Sequence, residues 1–220
     1  MKLIILVRHA TAVDRDIDSP DFDRTLVKKG KKESTKMANI FKSHQIQPDI
    51  WISSPAPRAL ETAQIFAKIL HYADSKILQE DKLYTDNSAG AYMALIHTMP
   101  PEKNSVIFFG HDPSISDFAA LLLKNFELNF QKAGVLVITL LQEDWKLIRA
   151  GEGFLTAVEF PKSDQRIRQL LKENLDNLIT THNKQLLKTV FPKYQSKILK
   201  SMKGLTDKVV KKILKIITKK

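Results

Sequence analysis

Residues 4–12, IILVRHATA, pass from four large apolar side chains directly to Arg8 and His9. The apolar run predicts a buried strand. A strand is usually followed by Gly, Asn, Asp or Pro, because the chain has to turn there. An arginine and a histidine in that place indicate either an exposed surface position or the floor of an anion-binding site.

Composition predicts a globular protein of one domain, with or without an appendage. The chain has 220 residues, of which 43% are hydrophobic, and it contains no cysteine. The lack of cysteine excludes disulfides and cysteine-based zinc sites, and it fits a reducing cytosol. The apolar run Leu3–Val7 is shorter than the roughly 7 to 15 residues of a secretory signal core. We expect a cytoplasmic protein that does not span a membrane.

The positive charge is confined to one end of the sequence. Residues 1–162 contain 20 Lys and Arg against 20 Asp and Glu, whereas residues 163–220 carry the whole net charge of +11. This division predicts a charge-balanced catalytic domain over 1–162 and a basic helical extension over 163–220.

Hydrophobic patterning predicts alternating strands and helices. The predicted strands are Lys2–Val7, Asp49–Ser53, Ser105–Phe109, Gly134–Leu141 and Trp145–Ala150, and the predicted helices are Lys31–His44, Arg58–Leu70 and Ser114–Leu123. Such alternation is typical of an α/β fold, here a three-layer, mostly parallel sheet with helices on both faces. The short connection Gln142–Asp144 predicts that the last two strands form an antiparallel hairpin at an edge.

Three polar motifs follow predicted strands: RHAT (8–11), SSPAPR (53–58) and GHDPS (110–114). Each has an ordinary explanation of its own, as a surface histidine, a solvated arginine or a helix start with proline in its first turn. In open α/β sheets, however, ligands bind at the carboxyl ends of the strands. Three such motifs at strand ends favour one shared site over three coincidences.

The residue types in these motifs suit phosphoryl transfer. A guanidinium matches phosphate oxygens with two parallel donors and is always charged. A neutral imidazole can attack phosphorus and form a covalent intermediate, and nearby guanidiniums disfavour its protonation. A second histidine can donate a hydrogen bond to the phosphoryl oxygens.

These motifs resemble the histidine phosphatase (phosphoglycerate mutase-like) superfamily. Within it, RHATA (8–12), DRTL (23–26) with Gly30, and GHDPSIS (110–116) resemble the SixA-type phosphohistidine phosphatases, over residues 1–162. The resemblance implies that His9 is the nucleophile. It further implies that a phosphate pocket is formed by Arg8, Arg58 and His111. The weaker candidates for phosphate or substrate binding are Arg24, Thr11 and Ser53.

Two departures from the superfamily pattern affect the expected chemistry. Ala10 stands where glycine is favoured, as is common in the SixA branch. The carboxylic acid that usually protonates an alkoxide leaving group is not found in a recognisable motif. Glu80, Asp81 and Asp86 lie in the corresponding region, but their sequence context favours solvated loop charges over this acid. An imidazole leaves more readily than an alkoxide, so a missing acid favours phosphohistidine as substrate.

We therefore expect a metal-independent phosphatase without a cofactor, acting on a phosphorylated protein in signal transduction. A small-molecule phosphomonoesterase and a catalytically weak phosphate-recognising module remain the alternatives. The chain has no Gly-rich nucleotide-binding motif. Asp112 beside His111 leaves a metal site open as a minor alternative.

The extension has three interpretations of its own. Its apolar stripe over Lys197–Lys219 is typical of a helix that packs on the core or on another chain. A basic amphipathic helix can also bind an anionic membrane surface. Binding to nucleic acid or another polyanion is the weakest fit, because the stripe lacks aromatic residues.

Overall fold

A six-stranded mixed sheet forms the centre of the protein. The computed structural model describes residues 1–162 except positions 19, 87, 124, 125, 127 and 128. The strands are β1 (Lys2–Arg8), β2 (Ile50–Ser53), β3 (Leu78–Gln79), β4 (Ser105–Gly110), β5 (Val135–Leu140) and β6 (Phe154–Glu159). Their order is β3-β2-β4-β1-β5-β6, in which the first four are parallel and the last two run antiparallel to their neighbours β1 and β5.

Strand β1 lies inside the sheet and is covered on both faces. It pairs with β4 from Leu3 to Arg8 and with β5 from Lys2 to Val7. Because side chains alternate along a strand, Ile4 and Leu6 join one hydrophobic cluster, and the apolar residues that alternate with them join the other. This double burial explains why the segment is a continuous apolar run rather than an alternating one.

Helices cover the two faces of the sheet. They are α1 (Lys28–Ser43), α2 (Pro57–Leu70), α3 (Lys82–Thr85), α4 (Ala89–His97) and α5 (Ser114–Leu122). Helices α1 and α2 contribute Met37 and Phe66 to one cluster, and α4 and α5 contribute Tyr92 and Phe118 to the other. The predicted three-layer α/β class is confirmed. None of the described helices is long and apolar enough to cross a membrane.

The predicted strand Trp145–Ala150 is wrong. Trp145–Leu147 is a 3₁₀ turn, and the last strand is β6, so a long loop rather than Gln142–Asp144 joins the antiparallel pair. The turn is stabilised because the Asp144 carboxylate accepts from the Lys146 backbone N–H at 3.0 Å. The Trp145 indole is buried and donates to the Lys103 carbonyl at 2.8 Å, so its apolar character reflects packing rather than a strand. The predicted extension 163–220 lies outside the described residues, and the division of the chain at position 162 stays a prediction.

One glycine fixes the first turn of α1 against the segment that follows β1. A Cβ atom at Gly30 would lie 2.0 Å from the backbone oxygen of Thr11. That oxygen also accepts a hydrogen bond from the Val27 N–H at 3.1 Å. The close approach holds residues 9–12 between the sheet and α1.

We expect Gly30→Ala to lower the free energy of unfolding by about 2 kcal/mol, because two stretches of backbone must move apart. Elsewhere in a helix the same change is usually stabilising. Gly90→Ala, in the first turn of α4, is the matched control, since its Cβ would meet only the Ser88 hydroxyl oxygen at 3.4 Å. Urea unfolding of both variants tests this, and equal stabilities would contradict the proposed close contact.

Candidate active site

The three motifs meet at the carboxyl ends of adjacent strands. β2, β4 and β1 are neighbours in the sheet, and backbone hydrogen bonds continue past their ends. The His9 N–H donates to the Gly110 carbonyl at 3.0 Å, and the Ser54 N–H donates to the Phe109 carbonyl at 2.9 Å. As a result, the ring centroids of His9 and His111 lie 5.1 Å apart.

The His9 ring is held in one tautomer. Its Nδ1 lies 2.8 Å from the carbonyl oxygen of Ala10, and a carbonyl can only accept, so Nδ1 carries the proton. The other ring nitrogen, Nε2, then has a free lone pair when the ring is neutral. His9 is 7% exposed, so the ring is largely enclosed by the protein.

His9 is neutral at physiological pH. Burial, together with the nearby His111, Arg58 and Arg8, lowers the pKa of His9 to about 3, against the opposing effect of the Ala10 hydrogen bond. A neutral ring with a free Nε2 lone pair is the nucleophilic form of histidine.

His111 is held by a hydroxyl group of the second motif. Its Nε2 lies 2.8 Å from Ser54 Oγ, while its buried Nδ1 has no partner among the described residues. Ser54 Oγ also accepts from the Ala56 N–H at 3.3 Å. Burial, followed by the Arg58 charge, lowers the pKa of His111 to about 3. Ser54 was not singled out in the sequence, although it lies inside the SSP motif.

Two arginines flank the histidine pair. The Arg8 guanidinium donates to the Phe130 carbonyl at 2.5 Å and lies 3.7 Å from the Asp112 carboxylate. Arg58, in the first turn of α2, has a side chain that is only 6% exposed. The Nε atoms of both arginines are buried and have no partner among the described residues.

Asp21, which the sequence analysis did not select, joins Arg58 to Arg24. Its carboxylate accepts from Arg58 Nη2 at 2.8 Å and from Arg24 Nη1 at 2.7 Å, and its backbone oxygen accepts from Arg58 Nη1 at 2.5 Å. Arg24 also donates through Nε to the Val13 carbonyl at 2.7 Å. The sequence held one signal for this contact, an acid three residues before Arg24.

The weaker sequence candidates make local contacts. The Thr11 hydroxyl donates to the Glu33 carboxylate at 2.7 Å, and the buried Ser53 hydroxyl donates to the Ser54 carbonyl at 2.9 Å. The three carboxylates considered as acids lie around α3: Glu80 and Asp81 before it and Asp86 after it. Within the described part of the chain, no hydrogen bond or ion pair joins them to His9, His111 or the arginines.

The site has the composition of an anion pocket around a neutral histidine. It combines a neutral imidazole lone pair with permanently charged guanidiniums and unpartnered N–H donors. Among the described residues, no group of three or more His, Cys, Asp or Glu side chains is placed to hold a metal ion.

Solved structures share this fold. A protein from Agrobacterium tumefaciens assigned as a phosphohistidine phosphatase SixA is 23% identical, over 73% of this chain and 99% of its own, with a TM-score of 0.62. A protein histidine phosphatase SixA complexed with tungstate is also 23% identical, over 72% and 97%, with a TM-score of 0.63. A mycobacterial glucosyl-3-phosphoglycerate phosphatase is 16% identical, over 70% and 96%, with a TM-score of 0.53.

Sequence identities of 16% to 23% establish a shared fold only, and the evidence from sequence comes from a family model. The model of the histidine phosphatase superfamily (branch 1) matches residues 4–85, which contain His9, both arginines of the pocket and Asp21. Residues 4–85 thus match the histidine phosphatase superfamily in sequence, and the described residues share the fold of the SixA structures, as the motifs predict.

Proposed function

We propose that the protein is a phosphatase that removes the phosphoryl group from phosphohistidine in a protein, through a phosphohistidine intermediate on His9. The observation that carries this proposal is the state of His9: a buried neutral ring whose Nδ1 is bound to the Ala10 carbonyl, leaving Nε2 free beside Arg8 and Arg58. Sequence and fold likeness to the histidine phosphatases supports the same chemistry.

The reaction has two displacements. His9 Nε2 attacks phosphorus, the bond from phosphorus to the substrate imidazole breaks, and the departing nitrogen takes a proton from water. Water then attacks the phosphorylated His9, which releases inorganic phosphate and restores the imidazole. Arg8, Arg58 and His111 stabilise the charge on the equatorial oxygens in both steps.

The state of Asp21 favours phosphohistidine over an alkyl phosphate. Burial alone would raise the pKa of Asp21, but hydrogen bonds and charge from Arg24 and Arg58 lower it below the usual value. An ionised carboxylate cannot protonate an alkoxide. An imidazole leaving group depends less on such an acid.

A small phosphate ester remains the second candidate, because the fold is shared with a glucosyl-3-phosphoglycerate phosphatase. A phosphate-recognising module with weak catalysis is the third. In either case the partner is a phosphorylated molecule. Contact of the basic extension 163–220 with the core, another chain, an anionic membrane surface or a polyanion stays a prediction, because these residues lie outside the described part of the chain.

We expect His9→Ala to abolish turnover of a phosphohistidine protein and of an aryl phosphate, and to abolish the acid-labile radioactive label that the wild type acquires from labelled phosphohistidine substrate. The reason is that no other lone pair replaces Nε2. Phosphate release and quenched-flow labelling are the measurements. The wild type should prefer the phosphohistidine protein.

His71→Asn is the matched control for the loss of a histidine. His71 lies in the left-handed region at the end of α2, at φ 58°, which asparagine also adopts, and it should behave as wild type. Turnover that persists in His9→Ala would overturn the mechanism. A wild type that binds phosphate but hydrolyses neither substrate would favour the recognition module.

Ser54→Ala should lower kcat about tenfold to a hundredfold with a smaller change in KM. A Ser54 hydroxyl that donates to His111 Nε2 places the ring proton on Nδ1. The Nδ1–H then donates a hydrogen bond to the phosphoryl oxygens. Without it, both tautomers become accessible. Steady-state kinetics and ¹⁵N spectra of labelled histidine test this, with Ser53→Ala as the neighbouring control. An unchanged kcat and an unchanged His111 spectrum would contradict the role of Ser54.

We expect His9 to stay neutral at pH 5, where an ordinary imidazole is mostly protonated. Its pKa in the folded protein is about 3, against 6.5 for an unperturbed histidine. Since the unfolded chain binds this proton more readily, the free energy of unfolding should fall as the pH drops from about 6.5 toward 3. Histidine-labelled NMR, with His9→Asn for assignment, measures the titration directly, and a midpoint near 6 would be incompatible with the buried neutral ring.

A further inference from the structure

We propose that Asp21 is the positioning residue of this site, which sets the direction of the Arg58 guanidinium and thereby the affinity for an oxyanion. The inference rests on the proposed function, because it names how that phosphate pocket is assembled. It concerns a residue that stands outside the three strand-end motifs.

Asp21 contacts one edge of the Arg58 guanidinium. A guanidinium has an end formed by its two Nη atoms and a side formed by Nε with one Nη, and either can bind an oxyanion. Asp21 takes the end, because its backbone oxygen accepts from Nη1 and its carboxylate from Nη2. Asp21 does not contact the side of the guanidinium, and the Nε atom there is buried without a partner among the described residues.

The remaining contacts of Asp21 fix it in turn. Arg24 holds the other carboxylate oxygen at 2.7 Å, and the Tyr84 hydroxyl donates to the first at 3.4 Å. The Tyr84 ring lies under the Arg58 guanidinium, 5.7 Å from its centre, and packs edge-on against His111 at 5.6 Å between ring centroids. Arg58 is thus restrained by both Asp21 and Tyr84, and the Tyr84 ring also packs against His111.

A carboxylate beside a phosphate pocket has two opposite effects. It reduces the positive potential for an incoming anion, which weakens binding, and it orders the guanidinium, which strengthens binding. The 6% exposure of Arg58 and its two bonds to one residue favour the second effect. A buried guanidinium that loses its partner turns toward whatever acceptor is near, and the phosphoryl group must then bear the cost of reorienting it.

The test compares Asp21→Asn with Asp21→Glu and with Asp23→Asn, the last an exposed neighbour in the same 3₁₀ turn. The probe is tungstate, an inert oxyanion that a structure of the same fold contains. Binding to the full-length protein is measured by calorimetry. The Arg58 Nε–H is followed by NMR, assigned with Arg58→Lys, and kinetics are run on both substrates.

We expect Asp21→Asn to weaken tungstate binding about tenfold and to lower kcat/KM about tenfold to a hundredfold on both substrates, with loss of the slowly exchanging Arg58 Nε–H signal. Asp21→Glu should recover part of the affinity because it keeps the charge. Asp23→Asn should match the wild type.

Each other result counts against the inference. Unchanged or tighter tungstate binding by Asp21→Asn would mean that the carboxylate competes with the anion rather than orienting Arg58. If Asp21→Asn fails to fold, the test rests on folded Asp21→Glu, through its Arg58 Nε–H signal and its affinity for tungstate. Complete loss of both would overturn the positioning role. A wild type that binds no tungstate and hydrolyses neither substrate refutes the proposed function itself, which is a distinguishable outcome.

Discussion

The pairing of β1 between β4 and β5 is the constraint on which the site depends. Both edges of β1 are hydrogen-bonded and both of its faces are buried, so the strand can present polar groups only at its end. The register with β4 pairs Arg8 with Gly110, the His9 N–H donates to the Gly110 carbonyl, and His111 follows one residue later. His9, the proposed nucleophile, and His111 are therefore positioned by backbone geometry rather than by mobile side chains, which is the arrangement that catalysis by positioning requires.

The charges of the pocket explain why its histidines are neutral. Removing an imidazolium from water is unfavourable, and placing it among guanidiniums adds repulsion, so both effects lower the pKa of His9 and His111 in the same direction. Arg8, Arg24 and Arg58 face only two carboxylates, Asp21 and Asp112, among the described residues. The free pocket is thus left with positive charge and unpartnered donors, which an oxyanion would satisfy.

Sequence reasoning found the parts of this site that sit on strand ends. The apolar runs followed by RHAT and GHDPS predict β1, β4 and the histidines that follow them. Hydrophobic periodicity and the polar residues that end a strand are both local signals in the sequence. The strand predicted over Trp145–Ala150 is wrong, because a turn that contains a buried indole has the same apolar composition as a short strand. Ser54 and Asp21 were missed for another reason: their partners, His111 and Arg58, are 57 and 37 residues away. Such contacts exist only after the sheet has brought the motifs together.

The same contacts bear on which phosphorylated group can leave. A proton donor near the pocket would have to be a carboxyl group kept neutral, which needs an apolar setting or a second carboxylate beside it. Asp21 has the opposite surroundings, two guanidiniums, and Asp112 lies 3.7 Å from a third. Burial alone would raise the pKa of Asp21, but hydrogen bonds and charge from Arg24 and Arg58 hold it below the usual value, so this carboxylate is ionised. The substrate proposed above fits this constraint, because an imidazole nitrogen departs more readily than an alkoxide without prior protonation.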